Sequence, residues 1–167
     1  MKRILFTGLV LALMIPGMAK AQTTDGGTIA VDIGELLYVN IVTGDNQTVS
    51  PTLTDFDNAY VDATTALSIE SGANAPYDLF IRGDAGTWTF DPNGSGNSDP
   101  SKPVGDLGFK LASAGSYTSM TTSNQTVDNF ANPGTNTSSV DLRVALDYGD
   151  DVEGIYTMNY TVEVIAP

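Results

Sequence analysis

The stretch from residue 140 to residue 164 contains two runs in which every second residue is apolar. The apolar positions are Val140, Leu142, Val144, Leu146 and Tyr148 in the first run, and Tyr156, Met158, Tyr160, Val162 and Val164 in the second. This period of two is typical of a strand with one buried face. Because residues 149–154 between the runs are rich in turn formers, we predict a long antiparallel hairpin. Two strands cannot cover these faces alone, so the remaining chain is expected to supply an opposing sheet.

Shorter alternating runs recur along the rest of the chain, and no helical period is visible. Further strands are predicted near residues 28–33, 36–42, 67–69, 77–81, 88–90, 104–111 and 117–120. Residues 54–60 are interpreted as a loop, and residues 121–139 as a long surface loop or a poorly paired edge. The pattern predicts an all-β fold, a single immunoglobulin-like antiparallel β-sandwich of about eight to nine strands. Its predicted shared core includes Leu79, Trp88, Val144, Leu146, Tyr160 and Val162.

The N-terminus has the organisation of a secretory signal peptide. Two basic residues precede an apolar run from Ile4 to Ile15, and Ala19-Lys20-Ala21 fits a cleavage site before Gln22. The run is shorter than the about 20 residues that a membrane span requires. We therefore expect a secreted protein, extracellular or at the cell surface, without a membrane span in the mature chain. The predicted segments are a signal peptide at residues 1–21, a flexible lead-in at 22–27 and the β-sandwich domain at 28–167.

Charge and missing residue types narrow the possible functions. Without the signal peptide, four basic residues stand against 20 acidic ones, a formal charge of −16. Such a surface repels nucleic acid and anionic membranes, so no nucleic-acid partner is expected. The chain has no His and no Cys, which excludes Ser-His-Asp catalysis, His-ligated metal sites and disulfides.

Catalysis would have to use carboxylate pairs such as Asp55 with Asp57, or Asp150 with Glu153. Nothing in the sequence separates these pairs from a generally acidic surface. We therefore predict no enzymatic activity, no catalytic residues and no bound cofactor other than a possible calcium ion.

One loop carries the oxygen ligands that calcium prefers. Its candidate ligands alternate along the chain: Asp91, Asn93, Ser95, Asn97 and Asp99. Gly96 stands at the sixth position, as in an EF-hand, but Lys102 stands at the twelfth in place of the bidentate acid. An EF-hand proper is thus excluded, and a looser calcium loop remains. Residues 55–58 and 147–153 are further candidates, and the alternative is that these turn-forming residues bind nothing.

Two segments resemble those of secreted bacterial β-sandwich proteins. Residues 154–162 are similar to the closing G-x-Y-x-x-x-(aromatic)-T-(apolar) strand of spore coat protein U-like pilin subunits and WxL-type cell-surface domains. Residues 74–79 are similar to their N-x-P-(aromatic)-x-L strand start. Trp88-Thr89-Phe90 departs from the Trp-x-Leu of the second family, and the lack of Cys departs from the first. The resemblance implies an extracellular structural or adhesive subunit.

Two classes of function follow. The first is a structural subunit of a pilus-like filament or extracellular matrix, a homopolymer held together by strand donation. The candidate donor consists of Thr28, Ile29, Ala30, Val31, Asp32 and Ile33, although pairing of this segment within its own sheet is the preferred expectation. The second class is a glycan-binding or adhesive module, possibly calcium-dependent, that exposes aromatic residues. Its candidate aromatics are Tyr38, Tyr60, Tyr117 and Tyr148.

Overall fold

A computed structural model describes residues 29–167, so the predicted signal peptide, the lead-in and Thr28 lie outside the described residues. The strands are β1 Leu37–Thr43, β2 Tyr60–Asp62, β3 Leu67–Ala73, β4 Tyr77–Gly83, β5 Thr89–Asp91, β6 Leu107–Leu111, β7 Thr118–Ser119, β8 Gln125–Phe130, β9 Gly134–Ala145, β10 Ile155–Thr157 and β11 Tyr160–Ile165. A short helix, α1 (Leu53–Asn58), and a 3₁₀ helix (Val104–Asp106) complete the regular structure of this part of the chain. No helix within residues 29–167 is long and apolar enough to cross a membrane.

The strands form antiparallel sheets. The largest has the order β1-β3-β9-β6-β7, with β2 also paired to β9. A second sheet has the order β11-β4-β8, and β10 pairs with β5 in a two-stranded ribbon. The all-β sandwich prediction is confirmed, with more strands than expected because several have only two or three residues.

Alternating side chains of the two larger sheets meet in one core. Leu67, Ile69, Leu79, Ile81 and Val140 are completely buried there. Of the other predicted core residues, Trp88, Val144, Tyr160 and Val162 pack against this core while partly buried. Leu146 is buried but lies outside the cluster. Alternation therefore predicted the inward faces of β3, β4 and β9 correctly, whereas Tyr148, which it also placed inward, is 61% exposed.

The predicted C-terminal hairpin is wrong. β9 pairs with β3, β6 and β2 in the large sheet, whereas β11 pairs with β4 in the opposite sheet. β10, between them, pairs with β5. Most of the predicted apolar positions, among them Val140, Leu142, Val162 and Val164, still lie in or against the core. Two sheets that cover each other bury an apolar face as well as a hairpin packed on another sheet would.

Two segments interpreted as loops contain regular structure. β8 and the first half of β9 lie within residues 121–139, where backbone pairing forms strands from mostly polar side chains. α1 lies within residues 53–58 and begins with a capping box, in which Thr52 caps the Asp55 N–H and the Asp55 carboxylate accepts from the Thr52 N–H. This local arrangement starts a helix that is too short to show a helical period.

Candidate assembly site

Two strands that end their sheets, β1 and β11, lie beside each other on one side of the sandwich. Within the described residues, β1 pairs with β3 alone and β11 pairs with β4 alone. Each strand therefore has a row of backbone N–H and C=O groups that no neighbouring strand satisfies. An edge of this kind is a template for an additional strand.

The core beneath these two edges is incompletely covered. Val39 and Ile41 of β1, and Tyr160 and Val162 of β11, pack against the core but remain partly exposed. Leu37, at the start of β1, is 45% exposed. Because apolar surface in water is unfavourable, this side of the sandwich is suited to a further strand that carries apolar side chains on one face.

The edges on the far sides of the two sheets are less suited to pairing. β7 has two residues, and the pairing of β8 with β4 shifts register between Leu79 and Phe80. Very short strands and irregular pairing are the usual protections of a sheet edge. By contrast, β11 pairs with β4 over six successive residues, from Tyr160 to Ile165, without a shift. Of the four edge strands of the two larger sheets, β11 is thus the most regular template for an added strand.

Tyr160 closes one end of the space between β1 and β11. Its hydroxyl donates to the carbonyl oxygens of Gly44 at 3.4 Å and Asp45 at 3.2 Å, just beyond the end of β1. Gly44 has a φ of 82°, and a side chain there would meet the Ala66 carbonyl oxygen at 2.9 Å. Burial raises the pKa of Tyr160 to about 12, with a smaller contribution from Asp45. A neutral tyrosine hydroxyl therefore ties the start of β11 to the turn after β1.

The described part of the candidate donor segment, residues 29–33, carries no regular secondary structure. Residues 29–36 have no strand assignment, and the compact unit that holds the strands begins at Gly34. Ile29, Val31 and Ile33 are 90%, 74% and 69% exposed. Pairing of this segment within its own sheet and donation to a neighbouring copy both stay predictions. Alternation describes which side chains share a face, but it does not supply a partner strand.

The candidate calcium residues lie on a loop that is held by hydrogen bonds. The Asp91 carboxylate accepts from the Asn93 N–H, and the Asp99 carboxylate accepts from the Ser101 N–H. The Ser95 hydroxyl and the Asn97 amide nitrogen both donate to the Glu153 carbonyl oxygen, each at 3.0 Å. No group of three or more acidic residues suited to a metal occurs within residues 29–167. The calcium loop stays a prediction.

The candidate glycan-binding tyrosines do not present equally free rings. Tyr60 and Tyr117 both lie against the guanidinium of Arg143, at 3.5 and 4.2 Å from the ring centroids. Tyr38 is 46% exposed and donates to Glu70. Tyr148 is 61% exposed, its ring lies 5.0 Å from that of Phe56, and its hydroxyl donates to the Asp57 carboxylate. Glycan binding stays a prediction, with Tyr148 the most accessible of the four.

Two of the four carboxylates considered for catalysis, Asp55 and Asp57, have structural partners. Asp55 is engaged in the capping box of α1, and hydrogen bonds from Thr52 lower its pKa. Asp57 accepts from Tyr148, a contact that raises the pKa of that tyrosine. A cluster that the sequence did not reveal surrounds Lys102, whose ammonium contacts Asp151 and Asp106. Since Asp151 lies 49 residues from Lys102 in the chain, no local pattern could have indicated their contact.

Comparison with known proteins gives only distant likeness to solved structures. No protein-family model matches the chain, and no curated protein matches it. A solved structure of a chaperone-usher pilus is similar to it, with 14% identity and a TM-score of 0.45, covering 92% of this chain and 100% of that chain. A likeness this distant assigns no function, so the proposal below rests on the chain's own residues.

Proposed function

We propose that this protein is a non-enzymatic structural subunit, exported to the cell surface, that assembles head to tail into a filament. In this assembly, residues 28–33 of one copy add a strand to the β11 edge, beside β1, of the next copy. The observation that carries the proposal is that Ile29, Val31 and Ile33 are exposed and carry no strand assignment, in a protein whose core is only partly covered at β1 and β11.

Two gains would stabilise the exchange of this segment between copies. Full burial of an apolar side chain such as Ile or Val contributes about 1.5–3 kcal/mol, and the segment presents three of them on one face. The β11 edge supplies backbone hydrogen-bond partners that the segment lacks in its own chain. These gains oppose the loss of translational and rotational freedom, which costs roughly 4–15 kcal/mol. Regular backbone pairing along the strand is therefore required in addition to side-chain burial.

The geometry of the exchange determines the type of assembly. The donor segment and the acceptor edge are different surfaces of the same chain, so the contact is heterologous. Such contacts continue indefinitely unless the rotation between copies closes a ring. An open filament therefore follows from one donor and one acceptor per subunit.

Deletion of residues 22–33 tests the proposal directly. The mature protein is expected to form concentration-dependent polymers by light scattering, and the deletion variant is expected to be a folded monomer by circular dichroism and light scattering. A peptide of residues 22–33 should bind the deletion variant and raise its melting temperature. A mature protein that is monomeric at all concentrations, or a folded deletion variant that still polymerises, would overturn the proposal.

A second experiment locates the acceptor. A photo-crosslinking amino acid at Val31 is expected to label β11 or β1 of a neighbouring copy, as read by mass spectrometry of the crosslinked peptides. The same group at exposed Leu53 serves as the matched control and should give no crosslink to β11. Crosslinks from position 31 to β8 or β7 would show that a different edge accepts the strand.

A further inference from the structure

Lys102 is a buried lysine surrounded by acceptors. Its Nζ lies 2.7 and 2.8 Å from the two carboxylate oxygens of Asp151, 2.8 Å from the Ala145 carbonyl oxygen and 3.2 Å from the Asp106 carboxylate. The side chains of Lys102 and Asp151 are only 5% and 7% exposed. Removing two charges from water is costly, and proton transfer from the ammonium to the carboxylate yields a neutral amine and a neutral acid.

The two groups are held in a reactive arrangement. Because Nζ is equally close to both oxygens of Asp151, the carboxyl carbon lies within the separation of about 3–3.5 Å that precedes reaction. The backbones are also fixed: the Lys102 carbonyl accepts from the Trp88 N–H, and the Asp151 N–H donates to the Asp147 carbonyl. A shift of Nζ out of the carboxyl plane, within the reach of the flexible lysine side chain, then brings the amine over the face of the carbon and leaves the carboxylate oxygens in place.

The neighbours supply what amide formation requires. The backbone N–H of Asp147 donates to Oδ2 of Asp151 at 3.0 Å, in position to stabilise negative charge that develops on this oxygen. The Asp106 carboxylate contacts Nζ and can accept a proton from it. The ring of Tyr156, whose centroid is 5.9 Å from Nζ, helps to keep water from the site.

We propose that Lys102 and Asp151 join in an intramolecular amide bond, with Asp106 as the proton carrier. The ammonium first gives a proton to the Asp151 carboxylate, and the neutral Nζ attacks Cγ. Oδ2 carries the charge of the tetrahedral intermediate. Asp106 then takes a proton from nitrogen and delivers it to the departing Oδ1 hydroxyl, which leaves as water. One C–N bond forms, one C–O bond breaks, and Asp106 returns to its carboxylate form.

Proximity makes the reaction favourable. Amide formation from a free acid and amine in water is opposed by the water present, but well-oriented groups in one molecule reach effective concentrations of roughly 10⁵–10⁸ M. The bond would tie the connection before β6 to the connection after β9, in a chain that has no Cys for a disulfide. This inference is independent of the proposed assembly.

Intact mass spectrometry of the purified, denatured protein tests the bond. The wild-type chain is expected to be lighter than its sequence by one water molecule, and digestion should release a branched peptide that contains both Lys102 and Asp151. Lys102→Arg, which retains a cation for the ion pair, should have its full sequence mass and a lower melting temperature. Asp151→Asn should form the same branched linkage with loss of ammonia.

Asp106→Asn tests the proton carrier, and is expected to leave most of the protein unlinked while folded. A folded wild-type protein with its full sequence mass and no branched peptide would show an ion pair only and overturn the proposal. A water loss that persists in Lys102→Arg would assign the loss to another site and overturn it equally. A fully linked Asp106→Asn protein would remove Asp106 from the mechanism.

Discussion

The guanidinium of Arg143 holds the carboxylate of Asp62 through two hydrogen bonds, from Nε to Oδ1 at 2.6 Å and from Nη2 to Oδ2 at 3.0 Å. Tyr117 also donates to Asp62, at 3.2 Å, and the rings of Tyr60 and Tyr117 lie against the guanidinium. The hydrogen bond from Arg143 lowers the pKa of Asp62 below its ordinary value of 3.8. The pair connects β2 to β9 where the short β2 strand contributes little pairing of its own.

This pair predicts an acid-dependent contribution to stability. Because the pKa of Asp62 is lower in the folded state, its contribution is present above the ordinary value and is lost as the pH falls through the folded value. Wild type should therefore melt at a higher temperature than Asp62→Asn at neutral pH, and the two should converge in acid. Melting curves from neutral pH to about pH 2 measure this, because the range extends well below the ordinary value of 3.8. A difference in melting temperature that is constant with pH would contradict the prediction.

The raised pKa of Tyr160 predicts that the folded protein loses stability at alkaline pH. Its pKa in the folded state, about 12, lies above its ordinary value of 10.0, so the contribution of the neutral hydroxyl is complete below pH 10 and is lost as the pH rises toward 12. Tyr160→Phe cannot ionise and should show a smaller fall in melting temperature over this range. Tyr38→Phe, which removes an exposed hydroxyl from β1, should keep the wild-type fall. Equal alkaline profiles for wild type and Tyr160→Phe would refute the assignment.

Truncation of Leu79 is predicted to destabilise the core. The side chain is completely buried, so Leu79→Ala should lower the free energy of unfolding by about 2–5 kcal/mol, through lost burial and the cavity that remains. Leu53→Ala is the matched control, since Leu53 is 76% exposed and should change the value by about 0.5 kcal/mol or less. Chemical denaturation measures both variants. Similar values for the two would mean that Leu79 does not face the core.

The two faces of the donor segment predict opposite outcomes for the same added charge. Val31→Asp places a carboxylate on the apolar face that is to be buried in a neighbouring copy, and should abolish polymers. Ala30→Asp adds the same charge on the alternate face and should retain them. Light scattering in moderate salt measures both, since salt screens the repulsion between acidic subunits. Equal polymerisation of both variants would show that the alternating face is not used.

The calcium hypothesis predicts a ligand-dependent melting temperature. If the loop from Asp91 to Asp99 binds calcium in the folded state, the melting temperature should rise with calcium concentration and rise less with magnesium. Asp91→Asn combined with Asp99→Asn should remove the rise. Identical melting in calcium and in chelator would leave the loop as hydrogen-bonded turns.

The position of residues 28–33 could be anticipated only in part. Their alternation identified a chain segment fit for a sheet, because side-chain direction in a strand is a local property of the backbone. The same pattern fits pairing with the segment's own sheet or with that of a neighbouring copy, and Ile29, Val31 and Ile33 are exposed in the single chain. Whether an edge is free depends on how every other strand is paired, and that is a property of the whole fold.

Alternation along the sequence determined the all-β class and the buried faces of the C-terminal strands, since Val140 and Val164 are both buried as predicted. Only the tertiary structure decided that these residues belong to opposite sheets, because an apolar face is satisfied by any partner that excludes water, whichever strand supplies it. The contact between Lys102 and Asp151 could not be predicted either, because these residues lie 49 positions apart and meet only through the packing of the fold. Local pattern gives each strand its inward face, and the simultaneous packing of both sheets selects its neighbours.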